Sequence, residues 1–265
     1  MNQLIFAGTG GGRYTMSQQL RSTAGVIIVI NKKLFYLDPG PGSLLRLKQL
    51  NINPRDISCV LVSHRYIDHS NDLNAVIDAM TFGGEDQKGI LVTNRSVVEN
   101  PDTPLTRIHR TYLKQLMPMT QGQKVTLDNV EIAALKTKHT DPNTLGFKFS
   151  TEKFTLSYTG DTNYFSDLYK EHSGADILII NNGRPFKSKE RSNQLKSEET
   201  VNLIKKANPQ LAIITHFGIE MLKANPLYEA REIQKQTNVQ VMAAYDGLKL
   251  DLSNYTKATR QSKLA

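Results

Sequence analysis

Short hydrophobic runs separated by polar and glycine-rich breaks predict a chain that alternates between strands and helices. The run of residues 125–135 alternates in polarity, and with the two runs that follow it predicts an antiparallel set. Only Asn31 and Lys32 separate two apolar runs near the N-terminus, which predicts a β-hairpin there. Together the runs predict strands at residues 2–7, 26–30, 33–37, 59–62, 90–92, 125–135, 146–149, 154–158, 176–180, 211–214 and 239–243.

Helical periodicity appears between these strands. Leucines at positions 44, 45, 47 and 50 share one helical face, and Ser197 is a plausible N-cap for an amphipathic segment. Helices are predicted at residues 43–50, 72–80, 197–206 and 230–236. Strand-rich halves with helices between and outside them predict an α/β protein built as an αββα four-layer sandwich.

The length and composition are those of an ordinary globular protein. The 265 residues suffice for one large domain or two small ones, and we favour a single domain over residues 1–265. No apolar run is long enough to span a bilayer and no signal peptide opens the chain, so a cytoplasmic protein is expected. The single cysteine, Cys59, lies in an apolar run and is predicted to be a core residue.

The net charge favours anionic partners. A formal charge of +8 would steer anions, including RNA, towards the surface, although solubility alone also explains it. Trp is absent and aromatic residues make up 7% of the chain, so no stacking platform for single strands is evident.

Polar residues that suit metal binding follow several of the predicted strands. His64, Asp68 and His69 crowd onto the turn after the strand at residues 59–62. Histidine and carboxylate side chains together suit zinc, iron or manganese. Alone, this cluster leaves a structural His–Asp hydrogen bond as an equally good interpretation.

Three further residues occupy the same kind of position. His139, Asp161 and His216 each follow a predicted strand. Four of the six histidines thus lie at strand ends, whereas His109 and His172 lie in polar stretches and are expected to be exposed. For any one residue a structural role is the better interpretation, but the joint pattern favours a metal site.

The order of these residues resembles the metallo-β-lactamase superfamily, whose pattern is His–x–His–x–Asp–His, a lone His, Gly–Asp, and a late strand followed by His. The resemblance covers residues 2 to about 252. The opening LIFAGTGGG and the late AYDGLKLDL also look like the RNase Z-like branch and its archaeal hydrolase relatives. The GTGGG turn lacks the Lys and Ser of a P-loop, so we interpret it as a tight turn that lets backbone approach the metal site.

The resemblance implies a dinuclear site. His64 and His139 would bind the first metal, Asp68, His69 and His216 the second, and Asp161 both. Zinc is the implied metal, in one or two ions, with iron or manganese as alternatives. Asp68 would also orient the attacking water or shuttle its proton. The superfamily commonly dimerises, which implies a homodimer.

Tyr66 departs from the family pattern, because it stands where the family has its second histidine, giving HRYIDH. A phenol is a poor metal ligand unless it is ionised, so the first site is expected to be weak or to hold a metal such as iron that favours phenolate oxygen. Tyr66 is therefore a candidate catalytic or ligand residue. The alternative is that it only fills volume and the chain binds a single ion.

Two further differences separate the chain from the tRNA-processing enzymes. Gln194 stands about where RNase Z-like proteins carry a histidine that assists proton transfer, and glutamine is no acid at neutral pH. Those enzymes also insert a long substrate-binding arm between the lone His and Gly–Asp. Here that interval is only 161 − 139 = 22 positions, which predicts two strands and a turn without an arm.

These observations support three hypotheses about function. The first is a metal-dependent hydrolase of a small ester, lactone or phosphodiester. The second is a nuclease acting on RNA, suggested by the RNase Z-like ends and the basic charge. The third is a catalytically reduced protein that keeps one metal and binds a nucleotide or a partner protein, suggested by Tyr66 and Gln194.

Overall fold

The computed structural model describes residues 2–99, 102–189 and 193–258, which form two compact units. The first unit comprises Met1–Thr120 and Tyr245–Asp251, and the second comprises Gln121–Ala244 and Leu252–Ala265. Each unit contains one seven-stranded sheet. The prediction of a single domain over residues 1–265 stays a prediction.

Most of the strands lie close to where the hydrophobic runs predict them, but those at residues 115–118 and 249–251 were not predicted. In chain order they are β1 (Gln3–Phe6), β2 (Val26–Ile30), β3 (Lys33–Leu37), β4 (Ile57–Leu61), β5 (Ile90–Thr93), β6 (Gln115–Pro118), β7 (Lys124–Leu127), β8 (Val130–Lys136), β9 (Leu145–Ser150), β10 (Thr155–Tyr158), β11 (Ile177–Asn181), β12 (Leu211–Thr215), β13 (Gln240–Ala243) and β14 (Lys249–Asp251).

The four predicted helices are present, the last of them longer than predicted, and the structure adds several short helices that periodicity does not reveal. They are α1 (Gly12–Ser17), α2 (Ser43–Gln49), α3 (Ile67–Ser70), α4 (Leu73–Thr81), α5 (Arg95–Val98), α6 (Arg107–Tyr112), α7 (Leu168–His172), α8 (Ser197–Ala207), α9 (Ile219–Ala224) and α10 (Pro226–Thr237). No helix of the described ranges is both long and apolar enough to cross a membrane.

The sheet of the first unit has the order β14-β1-β2-β3-β4-β5-β6. Strands β3 to β6 run parallel, so the polar residues that follow β3 and β4 lie at one edge of the sheet. The predicted hairpin between β2 and β3 is confirmed, and Asn31 and Lys32 both adopt positive φ, as a type I′ turn requires. The buried core of this unit includes Tyr36, Val60 and Ile77, and it also includes Cys59 as predicted.

The sheet of the second unit has the order β13-β12-β11-β10-β9-β8-β7. Strands β10 to β13 are parallel, whereas β7 to β10 form the predicted antiparallel set. The run of residues 125–135 is a hairpin rather than one strand. Asp128 adopts φ 50°, a conformation that Asp tolerates better than most residues, and thereby turns the chain between β7 and β8.

Two predictions about single side chains are wrong. The Lys196 amide at the start of α8 donates to the Glu199 carboxylate, whereas the Ser197 hydroxyl donates to Glu229 and does not cap the helix. His172 is fully buried, not exposed, because α7 turns this residue towards β10, where the Ser157 hydroxyl lies 2.7 Å from its Nδ1. His109 is half-buried on α6.

Candidate metal centre

The first unit brings together the three residues that follow β4. The rings of His64 and His69 have centroids 4.2 Å apart, and His69 Nε2 lies 3.6 Å from Asp68 Oδ2. Both histidines are buried. They come together because α3 begins directly after the β4 loop and its single turn carries Asp68 and His69. This unit therefore supplies two imidazoles and one carboxylate to the same edge of its sheet.

Asp38 anchors this group, although the sequence analysis did not identify it. Its carboxylate accepts hydrogen bonds from the Ser63 amide (2.6 Å) and hydroxyl (2.8 Å), and lies 3.0 Å from His69 Nδ1. Burial opposes ionisation of Asp38, but the positive potential and hydrogen bond of His69 and the Ser63 amide outweigh it and lower the pKa of the carboxyl. A carboxylate in this position fixes His69 with Nε2 directed away from it, as in many metal sites.

Hydroxyl groups fix the tautomers of two other histidines. The single hydroxyl hydrogen of Ser63 is donated to Asp38, so His64 Nδ1, 3.0 Å from that oxygen, must be the donor. Likewise the Thr144 hydroxyl donates to a carbonyl oxygen and lies 3.3 Å from His139 Nδ1. In both rings the Nε2 lone pair is then the one that a metal would use.

Backbone positions Asp68 from the opposite side. The Gly12 amide, at the end of the GTGGG turn, donates to Asp68 Oδ2 at 2.8 Å. Gly40 approaches so closely that a Cβ there would lie 2.2 Å from the Asp68 carbonyl oxygen, so only glycine fits. The Asp246 carboxylate in turn accepts from the Thr9 amide and hydroxyl, at 2.9 and 2.7 Å, and holds the start of the turn.

The second unit brings together the other three predicted ligands. His139 lies beyond the end of β8, while Asp161 and His216 follow β10 and β12, whose carboxyl ends share one edge of the sheet. Asp161 Oδ2 lies 4.0 Å from His139 Nε2, and Asp161 Oδ1 lies 3.4 Å from His216 Nε2. His216 adopts φ 61°, a strained conformation for a non-glycine residue of the kind that clusters at functional sites.

Two amide side chains surround Asp161. Asn181, the last residue of β11, donates to Asp161 Oδ1 at 2.7 Å. Gln194 lies with Nε2 3.3 Å from Asp161 Oδ2 and 3.3 Å from His216 Nδ1. Gln194 thus lies beside two of the predicted ligands, where its amide donates a hydrogen bond to Asp161 but supplies no acid. Asn181 was missed because an amide at a strand end is not a distinctive metal signal.

Tyr66 lies in the first unit beside His64. Its ring centroid is 4.9 Å from that of His64, with the planes tilted by 59°, and the side chain is half-buried. The phenol therefore packs against a predicted ligand.

The residues present fit a divalent metal. Each unit by itself presents two histidines and one aspartate, all largely removed from solvent and held by hydrogen bonds from neighbouring groups. Imidazole nitrogen and carboxylate oxygen form the donor set used by catalytic zinc, and also by iron and manganese.

Replacing Asp38 with Asn is expected to weaken metal binding by about 10–100-fold, because a neutral amide replaces the ionised carboxylate that orients the His69 ring. Competition with a chromogenic chelator measures the affinity. Asp56→Asn, an exposed residue of the Pro54–Asp56 turn, is the matched control and should bind as the unmodified protein does. Unchanged affinity in Asp38→Asn would mean that this carboxylate does not support the ligand.

Comparison with protein families and curated proteins shows which family this chain belongs to. Residues 34–217 match the family model described as a beta-lactamase superfamily domain. An uncharacterized protein of Methanocaldococcus jannaschii, MJ1374, is 34% identical over 257 residues, which cover 95% of this chain and 96% of that protein. Ribonuclease Z of Bacillus subtilis is 24% identical over 144 residues, which cover 52% of this chain and 45% of the enzyme.

Solved structures show the same fold. The metallo-beta-lactamase fold protein YhfI of Bacillus subtilis superposes with a TM-score of 0.80 at 20% identity, over 94% of this chain and 98% of that one. A diphosphatase from the PhnP family superposes with a TM-score of 0.69 at 17% identity, over 94% and 97% of the two chains. The predicted fold class, an α/β protein of the metallo-β-lactamase type, is confirmed.

Proposed function

The chain belongs to the beta-lactamase superfamily, and from that premise we propose that it is a metal-dependent hydrolase with a two-metal site that acts on a phosphodiester. One observation carries the proposal: each of two sheets ends in a group of two histidines and one aspartate whose side chains are largely removed from solvent. The matched region, residues 34–217, contains all six of these residues.

The proposed ligands follow the predicted assignment. His64 and His139 would hold the first ion, and Asp68, His69 and His216 the second. Asp161 would contact both, which suits a carboxylate whose two oxygens already face different histidines. Zinc is the proposed metal, with iron or manganese as alternatives. When bound, such ions polarise phosphoryl oxygens and lower the pKa of the attacking water.

The remaining chemistry would belong to the chain itself. Asp68 is held by the Gly12 amide with Oδ2 beside His69, and in this proposal its carboxylate would orient the attacking water and take its proton. Tyr66, whose ring packs against His64, would contact the substrate or complete the first site. Gln194 would hold Asp161 by a hydrogen bond and lie beside His216, without acting as an acid.

A phosphodiester is the preferred substrate class for two reasons. Two of the similar proteins carry names, ribonuclease Z and diphosphatase, that refer to phosphate linkages. The net charge of +8 also favours an anionic substrate over a neutral ester or lactone.

An RNA-processing nuclease is the second candidate, supported by the similarity to ribonuclease Z. Against it, β9 and β10 fill the interval between His139 and Asp161, leaving no segment there for a substrate-binding arm. A one-metal binding protein is the third candidate, and Tyr66 is its support.

Metal analysis together with an activity panel tests the proposal. With metal supplied in excess, the protein should bind two metal ions per chain and should hydrolyse bis(p-nitrophenyl) phosphate faster than a p-nitrophenyl ester or a lactone. Cleavage of RNA at a higher rate than the small diester would favour the nuclease. One ion and no turnover of any substrate would favour the binding protein.

Tyr66→His tests the proposed weakness of the first site. Because imidazole is a better zinc ligand than a neutral phenol, the zinc content retained after dialysis should be below two per chain in the unmodified protein and closer to two in the variant, which should also turn over bis(p-nitrophenyl) phosphate faster. Tyr66→Phe is the matched control, since it keeps the ring beside His64 and should gain neither property. If Tyr66 is itself an ionised ligand or a substrate contact, Tyr66→His would instead leave stoichiometry unchanged and lower activity.

The proposal extends to domain organisation, cellular location and oligomeric state. The two units are proposed to form one domain over residues 1–265, the protein to be cytoplasmic, and the assembly to be a homodimer. Size-exclusion chromatography with light scattering tests the last of these.

A further inference from the structure

A polar groove of about 340 Å³ opens in the second unit beside His139. Its described lining includes Thr137, Lys138, His139, Thr140, Asn163 and Asn193. Among these lining residues Lys138 carries a full positive charge and none is a carboxylate. One ammonium group surrounded by hydroxyl and amide groups suits an anion with several acceptor oxygens.

We propose that this groove is an anion subsite in which Lys138 binds a second phosphoryl group of the substrate. The preferred substrate is then a phosphodiester that carries an additional phosphate. This inference rests on the proposed function, which places the scissile phosphate at the metal ligands. His139 connects the two places, because it lines the groove and its Nε2 lies 4.0 Å from Asp161.

The backbone of Lys138 is fixed on both sides. Its amide donates to the Thr162 hydroxyl at 2.9 Å, and its carbonyl oxygen accepts from the Asn163 amide at 2.7 Å. The Nζ atom lies 5.4 Å from the centroid of the Phe165 ring. A cation over an aromatic face is held without being neutralised.

The charge of Lys138 is available to a ligand. The side chain is exposed at the groove, and no carboxylate in residues 2–99, 102–189 and 193–258 forms an ion pair with it. A phosphoryl group bound there would gain an ammonium–phosphate contact without first breaking a salt bridge.

The two asparagines add neutral donors. Asn163 Nδ2 donates one hydrogen to Asn193 Oδ1 at 3.2 Å. Each amide group carries two hydrogens, so both side chains can also donate to phosphoryl oxygens in the groove. A lysine with two amides selects a tetrahedral anion more specifically than a lone surface lysine does.

Lys136 provides a matched control. It is the last residue of β8, two positions before Lys138, and its Nζ lies 5.8 Å from the same Phe165 ring. It is exposed as well, but it is not among the residues that line the groove. Lys136→Met and Lys138→Met therefore remove the same charge over the same ring, one outside the groove and one within it.

Calorimetric titration with inorganic pyrophosphate tests the subsite directly. The metal-loaded protein and the same protein after chelator treatment are both titrated, because the metal centre can bind the anion too. In the chelator-treated protein, Lys138→Met should weaken binding about tenfold, the size of one charged hydrogen bond, while Lys136→Met leaves it unchanged. Equal loss in both variants, or no binding after chelation, would overturn the proposal.

Kinetics distinguish a substrate-borne phosphate from the free ion. Two chromogenic diesters are compared that differ only in one additional terminal phosphate. The ratio of their kcat/KM values should fall about tenfold in Lys138→Met and stay as in the unmodified protein in Lys136→Met. If both diesters are hydrolysed and the ratio of their kcat/KM values is the same in Lys138→Met as in the unmodified protein, the groove is not a substrate subsite.

The two proposals can fail separately. If neither diester is hydrolysed by the unmodified protein but pyrophosphate binding still depends on Lys138, the hydrolase proposal is wrong and the anion site stands. If both diesters are hydrolysed and pyrophosphate binds independently of Lys138, the hydrolase proposal stands and the subsite is wrong.

Discussion

Replacing Asp161 with Ala is expected to remove most of the bound metal and to lower kcat/KM by about a thousandfold or more. Asp161 is the one residue proposed to contact both ions, and its oxygens already lie 4.0 Å from His139 Nε2 and 3.4 Å from His216 Nε2. The variant also removes the acceptor for Asn181. Elemental analysis after dialysis and steady-state kinetics measure the two effects.

Thermal stability gives a second readout of the same change. A ligand present at a thousand times its Kd stabilises the native state by about 4 kcal/mol, which for a chain of this size corresponds to a rise in Tm of about 10 °C. The unmodified protein should show this rise on adding zinc after chelation, and Asp161→Ala should not. Comparing the chelated forms separates lost metal binding from a direct effect of the substitution on folding.

Asp167→Ala is the control for Asp161→Ala. Asp167 lies six positions later, is exposed and pairs with Lys170 on the surface, so its removal should change neither metal content nor activity. If Asp161→Ala retains as much metal as the unmodified protein, this carboxylate does not bridge the two ions and the proposed ligand assignment is wrong.

The sequence predicts the candidate ligands but not the groups that orient them. His64 and His139 stand out because histidines at strand ends are uncommon, and a period of two or 3.6 residues locates the strands and helices around them. Asp38 belongs to a Pro- and Gly-rich break and contacts His69, 31 positions later. That contact depends on the register between β3 and β4, which hydrophobic pattern alone does not specify.

The wrong predictions for Ser197 and His172 both arise from tertiary structure that local sequence does not show. Ser197 has the residue type of an N-cap, yet Glu229 of a distant helix competes for its hydroxyl, so the local rule is overridden by a tertiary contact. His172 has polar neighbours such as Lys170 and Glu171, which suggest exposure. A helix of only five residues nevertheless directs one face into the core, and single-residue burial in so short an element has no periodic signal.

Burial of His172 is expected to make the protein acid-sensitive independently of the metal ligands. Desolvation, with a smaller contribution from the Lys148 ammonium, lowers the pKa of His172 from 6.5 to about 3. Its Nδ1 lies 2.7 Å from the Ser157 hydroxyl, and Nε2 has no hydrogen-bond partner among the described residues that could stabilise a proton there. The native state therefore keeps this ring neutral.

Because His172 binds a proton more readily in the unfolded chain than in the native state, acid destabilises the native state. Between pH 6.5 and about pH 3, His172 is protonated in the unfolded chain but remains neutral in the native state. The free energy of unfolding therefore falls as the pH drops through this window. The stability that the neutral His172 ring contributes is fully present above pH 6.5. Across the whole window the free energy of unfolding falls by roughly 5 kcal/mol, at about 1.4 kcal/mol per pH unit. At pH 5 the loss is about 2 kcal/mol.

Urea unfolding of the chelator-treated protein between pH 7.5 and 4.5 measures this loss without interference from metal release. His172→Gln keeps a polar partner for Ser157 and cannot titrate, so the unfolding free energy of the variant should depend on pH less steeply, by about one proton at pH 5. His109→Gln, a half-buried histidine on α6 that is not a proposed ligand, controls for the loss of a histidine as such. Parallel pH profiles for the unmodified protein and His172→Gln would show that this ring is protonated equally in the folded and unfolded chains.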